Sequence, residues 1–331
     1  DTYPESGGNV PSGGPRGAVA IIEHEVTLTR DYLVNYKTTI DSGDVVNGML
    51  KVDDTYGHRL GIVDGVGTLQ VERGDLPAGI YEEFFSDNGG TLDYSGTDDY
   101  DVLGGITQLN NLKFSGTGER RLSNLDAGLY GNLDIAGTGN SLQVINEHDK
   151  RLDIEGSITF TKGSFDAGSG TNALVRMNGD TKQQVSGSFE QSNAFNDLEI
   201  NNSSGLEVLD SIEIDQTLTL TNGIVYLPDT ALVTLNSTDS DALADAGSSR
   251  YIQGALRKRI GSGDSYTFAI GDTSRYGELE ISSTGTSGPQ YWEAQYYDNN
   301  PDNHGYDITS YDSPLNEVSD NEYWRDRKSV V

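Results

Sequence analysis

Short pairs of apolar residues separated by one polar residue, each followed closely by Gly, Asn, Ser or Asp, recur along most of this chain. Leu112/Phe114, Leu133/Ile135, Ile158/Phe160, Leu198/Ile200 and Leu218/Leu220 are examples. Alternation with period two puts both members on one face of a strand and turns Lys113, Asp134, Thr159, Glu199 and Thr219 outward. The residues that follow accept positive φ and reverse the chain. The pairs return every 6 to 25 residues, and no stretch sustains apolar residues at helical spacing, so helix is expected to be minor.

Longer phrases repeat as well. TLDYSGTDDYDV (91–102) echoes LVRMNGDTKQQV (174–185) at a spacing of 83, LNNLKFSGTG echoes FNDLEINNSSG at 86, and NLDIAGTG echoes TLTLTNG at 85. GTLQVERGDL (67–76) also echoes GSITFTKGSF (156–165). This is an internal repeat. Two architectures use many short strands, a string of sandwiches and a solenoid. A sandwich has no need of units that resemble one another, whereas a solenoid favours them, because equivalent strands stack on a shared core. The expected fold is therefore all-β: a right-handed parallel β-helix over residues 1–250, with an N-terminal entrance coil, then a smaller β-rich module over 251–331. Coils of about 20–25 residues with strands about 4.8 Å apart make a rod on the order of 50 Å long. In the entrance coil, AVAIIEHEVTL (18–28) reads as two strands about a polar corner at Glu23–Glu25.

Composition agrees with a thin core. Hydrophobic residues are 34% of the 331, and 41 are glycine. Lys and Arg number 22 against 52 Asp and Glu, a net charge of −30. Such a surface repels nucleic acid and anionic lipid, which are held through Lys and Arg. No window reaches 18 apolar residues, which argues against membrane insertion. Cysteine is absent, and with it disulfides, thiolate metal sites and a Cys nucleophile. The polar start, DTYPESGGNVPSGG, and an end that stops in mid-pattern suggest a segment of a longer precursor.

From Ser248 the text changes to YIQGALRKRIGSGDSYTFAIGDTSRYGELEIS, followed by YWEAQYY (291–297), an acidic loop (298–307) and VSDNEYW (318–324). Taken with the NL-x-I coils before it, this order resembles large surface and secreted proteins of the Bacteroidota. The resemblance runs from about Thr91 to Trp324, without the sorting domain that ends such proteins. It implies export by the type IX secretion system, an extracellular or outer cell-surface location in a Gram-negative bacterium, and an adhesin-like or structural role without enzymatic activity. The expected partners are other surface proteins or glycans, with self-association into a filament or layer as a further possibility.

Chemistry is sparse in the text. Asp98-Asp99, Asp53-Asp54 and Glu82-Glu83 are adjacent, so in a strand they would point to opposite faces, the wrong geometry for a catalytic dyad. A polysaccharide-active β-helix enzyme is nonetheless an alternative, since such enzymes use scattered carboxylates beside Lys or Arg. His24, His58, His148 and His304 are isolated and are each expected on an exposed loop. Asp298, Asn300 and Asp302 present oxygens at alternating positions, a candidate calcium site, but Asn303 and Thr309 stand where an EF-hand needs Gly and Glu. Asp239, Asp241 and Asp245 form a similar candidate. Tyr291, Trp292, Tyr296 and Tyr297 read as strand core rather than as a sugar-stacking platform. Arg257-Lys258-Arg259 reads as a strand face paired with acidic neighbours. Ser211 and Thr230, each after an Asp and before an apolar residue, resemble Bacteroidota O-glycosylation acceptors.

Overall fold

The computed structural model describes residues 17–329, apart from 29–33, 42, 44–46, 54, 274, 313, 315 and 316. Asp54 and the Gly/Pro-rich opening 1–16 thus lie outside the described residues. Strands take 48% of the chain and helix 3%, and the strands stack in parallel as a β-solenoid of about ten turns. Where a coil is complete, a strand on a second face comes first, then one on a long face, then one on a third face. Ala127–Leu129, Leu133–Ala136 and Leu142–Ile145 make one such coil. The long face is a 13-stranded sheet running the whole length; the second is built from 4- and 7-stranded sheets and the third from 4- and 5-stranded sheets. The entrance residues form the expected two strands, Ala18–Ile22 and Glu25–Leu28.

Register follows from the apolar pairs. On the long face Val26, Leu50, Leu69, Leu92, Leu112, Leu133 and Ile158 stand one above another, each paired with the next. A parallel column holds Leu28, Val52, Val71, Tyr94, Phe114, Ile135 and Phe160. A slip of one residue would turn every member to solvent, so the pattern pins the pairing. Coil length is not constant: the step is 19 residues from Leu50 to Leu69 and 27 from Ile158 to Val185. The inward side chains form one continuous hydrophobic cluster from Ala20 to Tyr296. No coil could bury its few apolar side chains alone; its neighbours supply the other two walls.

The repeated phrases have a different meaning from the one expected. Thr91–Tyr94, Asn111–Phe114 and Leu133–Ala136 lie on the long face, whereas their echoes Leu174–Met177, Asp197–Asn201 and Leu218–Asn222 lie on the second face. The spacing near 85 is therefore not a whole number of coils, and the phrase encodes a strand with its corner, used on either face. The match extends to hydrogen bonding. Asn110 and Asn196, both buried, donate their amides backward to Gly89 O (2.6 Å) and Gly170 O (3.1 Å). Asn111 and Asp197, next in the chain, accept from the coil ahead: Asn132 N–H at 2.8 Å and Thr217 N–H at 3.0 Å. Each phrase clamps its corner to the coil before and the coil after. At one corner the clamps run on: Asn111 accepts from Asn132 N–H, Asn132 from Ser157 N–H, and Ser157 Oγ from Gln184 N–H. Corner amides that a solenoid would otherwise leave without strand partners are satisfied in this way.

Parallel pairing continues past residue 250. Ile252–Gln253 and Ile270–Asp272 are rungs of the long face, and Ala255–Ile260 pairs in parallel with Leu232–Leu235 on the third. Antiparallel pairing starts on the other side of Ala255–Ile260, with Gln290–Tyr297, which pairs in turn with Tyr323–Ser329. Ser265–Phe268 with Leu279–Ser282 adds a separate two-stranded antiparallel sheet. The two textures of sequence thus meet within a shared sheet.

Candidate functional site

On the second face the triplets Leu152-Asp153-Ile154, Val175-Arg176-Met177 and Leu198-Glu199-Ile200 send their outer members inward and their middle members out. Register then stacks Asp153, Arg176 and Glu199 on successive rungs. Arg176 Nε lies 2.7 Å from Glu199 Oε2 and its Nη1 3.6 Å from Asp153 Oδ1. Arg151 Nε is 3.0 Å from Asp153 Oδ2, and its Nη2 is 3.9 Å from Asp126 Oδ2. Burial opposes the charge on Arg176, but the hydrogen bond to Glu199 and the nearby Asp153 outweigh it and raise its pKa.

One rung before Asp153 the outward position belongs to Gly128, and one rung before that to Gln108. The missing side chain opens a notch of about 210 Å³, lined among others by Gln108, Asp126, Arg151, Asp153, Glu155 and Asn178. Asp153 Oδ1 and Asn178 Oδ1 are buried there without a hydrogen-bond partner. Glu155 is raised above the ordinary carboxylate range by burial first, then by the charges of Asp87, Asp180 and Asp153. The notch offers acceptors and donors side by side on a rigid sheet.

A second cleft, of about 390 Å³, lies between Thr238–Ser240 and the strand ends near Ile260 and Tyr266, with Lys258 at its back. The expectation that Arg257-Lys258-Arg259 forms an outward face holds only in part. Arg257 pairs with Glu293 at 3.0 Å, but Lys258 is 1% exposed, because it shares inward parity with Leu256 and Ile260. Its ammonium donates to Ser237 O and Arg259 O and sits 5.0 Å from the Tyr266 ring centre. Burial lowers its pKa to about 8, Asp239 partly opposing. With two protons held by backbone and the ring over the third side, this amine is occupied by the fold.

The residues singled out in the sequence have local duties. Asp298 Oδ1 accepts from Arg275 Nη1 at 3.4 Å, Asn300 caps a single 3-10 turn by accepting from Asp302 N–H, and Asp302 accepts from Ile308 N–H. Among the described residues no group of three or more His, Asp or Glu is arranged to hold a metal ion. Ser211 is half-buried and Thr230 exposed, in corners of consecutive coils between the long and third faces. Tyr296 and Tyr297 are buried, as strand-core residues are, whereas Tyr291 and Trp292 are half-buried, Trp292 packing against the core and the Tyr291 hydroxyl donating to Asn236 Oδ1 at 3.0 Å. His24, His148 and His304 are exposed, His304 against the rings of Tyr297 and Tyr323. His58 corrects the expectation: it is 3% exposed, two residues before inward Leu60. Comparison with known protein families, curated proteins and solved structures finds no match.

Proposed function

We propose that this chain is a non-enzymatic segment of a larger secreted or cell-surface protein of a Gram-negative bacterium, a rigid adhesin-like scaffold that holds polar surfaces away from the cell. The observation that carries the reading is the single core running unbroken through about ten coils, which makes a stiff spacer with rows of polar side chains along its outside. Repetition of weak contacts on such a spacer adds up through avidity. The net charge of −30 favours an extended, well-solvated surface, and the order of motifs after Ser248 supports a Bacteroidota origin with type IX export. Modification at Ser211 and Thr230 belongs to the same proposal, and their place at corners leaves room for it. Beads coated with the chain should adhere to glycan- or protein-coated surfaces in a density-dependent way, while the free chain leaves those surfaces chemically unchanged. Absence of adhesion at every coating density would sink the reading.

One observation favours a rival. Asp126, Asp153 and Glu155 meet Arg151 at the Gly128 notch, and carboxylates beside a guanidinium are the parts of a glycan-cleaving site. Incubation with acidic and neutral glycans decides between the two. New reducing or unsaturated ends that vanish in Glu155→Gln would establish the enzyme and end the scaffold reading.

A further inference from the structure

We infer that the Gly128 notch on the second face is a binding subsite for a neutral, hydroxyl-rich ligand, one sugar residue of a glycan chain. The inference rests on the scaffold reading and names what such a scaffold would hold. Three features of the notch lead there.

The first is that the fold has no need of glycine at position 128. At Gly223, φ is +91° and an added Cβ would lie 2.0 Å from Asn202 O, so only glycine fits. At Gly128, φ is outside the left-handed region, and a Cβ would meet nothing nearer than Thr107 O at 3.8 Å and Gln108 Nε2 at 3.9 Å. Any side chain could stand there, and the rungs above it carry Asp153, Arg176 and Glu199. What glycine provides is open space on the outside.

The second is the mixture of groups around that space. Asn178 Oδ1 is a buried acceptor with no hydrogen-bond partner, and such an atom is costly unless a partner arrives; Asp153 Oδ1 beside it has only the Arg176 guanidinium at 3.6 Å. The Asp126 and Glu155 carboxylates add acceptors, while Arg151 and the Gln108 amide supply donors. A carboxylate or phosphate ligand would face three acidic side chains. A simple ammonium ligand would leave the Gln108 donor unanswered and compete with Arg151 for the Asp153 and Asp126 carboxylates that already hold it. Hydroxyl groups donate and accept, and vicinal hydroxyls on a ring do both over short distances.

The third is rigidity and size. Asp153 is fixed by Arg151 at 3.0 Å, and Asp126 Oδ1 accepts from Arg151 N–H at 3.0 Å. The lining is therefore ordered before a ligand arrives, which lowers the entropic cost of binding. About 210 Å³ accommodates a ring but not a folded element.

The test is calorimetric titration of the chain with neutral gluco-, manno- and galacto-oligosaccharides and with an oligouronate. At least one neutral oligosaccharide should bind, and Gly128→Gln should weaken it at least tenfold while unfolding in urea at the wild-type midpoint. Gly104→Gln, at a glycine with nothing within 4 Å of an added Cβ, should bind as wild type does. Binding that Gly128→Gln leaves intact, tighter binding of the oligouronate, or no binding of any neutral sugar overturns the inference. Beads carrying Gly128→Gln separate the two levels: if they adhere as the wild type does, the subsite is wrong and the scaffold stands.

Discussion

Arg120 occupies a place that alternation reserves for the core. It stands on one column with Tyr100 and Val144 and is 0% exposed. Among the described residues no carboxylate forms an ion pair with it. Its guanidinium donates to Gly96 O, Asp98 O and Glu119 O and lies 4.0 Å from the Tyr100 ring centre. The side chain thus ties a corner to the next coil, and truncation removes a charged donor from three carbonyls, of which Gly96 O keeps Thr117 N–H, and empties a buried place in the core. Arg120→Ala should cost about 3 kcal/mol, the upper end for hydrogen bonds from a charged donor, read as a fall in the urea midpoint at unchanged slope. Asp93 is buried in the opposite sense. Burial raises its pKa despite hydrogen bonds from Gln70 and Ser115. Since the folded pKa lies above the unfolded value, the ionised form costs stability at neutral pH, and that cost disappears as pH falls through the folded pKa. Asp93→Asn should therefore raise stability at pH 7 and raise it by less at pH 4. A gain that is equal at both pH values would mean that charge is not the cause.

At the scale of strands and corners, the text was readable in parity and unreadable in angle. Leu112 and Phe114, or Leu198 and Ile200, announce a strand and its inner face because period two needs only local residues. Which face of the rod that strand joins depends on how many residues the preceding corners consume. With steps of 18 to 27 residues along the long face, no single period marks it, so the near-85 spacing joined strands of different faces. Parity applied to Leu256-x-Lys258-x-Ile260 and to His58-x-Leu60 would have placed Lys258 and His58 inside; the density of charge in one case and isolation in the other drew attention outward. The notch left one local trace, Ala127-Gly128-Leu129, a triplet whose outward slot is vacant. Its other walls, Arg151 and Asn178, come from later coils, and their approach is a property of stacking alone. The corner clamps belong to this scale too. Asn132→Ala removes the acceptor for Ser157 N–H and should cost about 1 kcal/mol, whereas Asn132→Asp, which keeps an oxygen there, should cost less. Equal losses in the two variants would show that the oxygen is not what matters.

For the whole molecule, stacking implies that coils are interchangeable to the extent that their columns match. Leu133 and Ile158 occupy successive rungs of one column, so removing residues 133–157 joins Asn132 to Ile158 in register. The shortened chain should keep its strand signal and cooperative unfolding, with solution scattering showing a rod shorter by about 4.8 Å. Collapse to an unfolded chain would mean that the coils are individually specified and not additive. The Ala255–Ile260 strand, parallel on one side and antiparallel on the other, should be far less forgiving, because it alone changes the direction of pairing within its sheet.

The bonds between rungs point along the length of the rod, at right angles to the strands that form them. Tension applied between the first coil and the strand Tyr323–Ser329 would open those bonds a few at a time, like thread leaving a spool, instead of shearing a whole sheet at once. Each released coil of about two dozen residues would lengthen the tether by several nanometres while the remainder stays wound. A body anchored through such a segment would feel a yielding line rather than a brittle one.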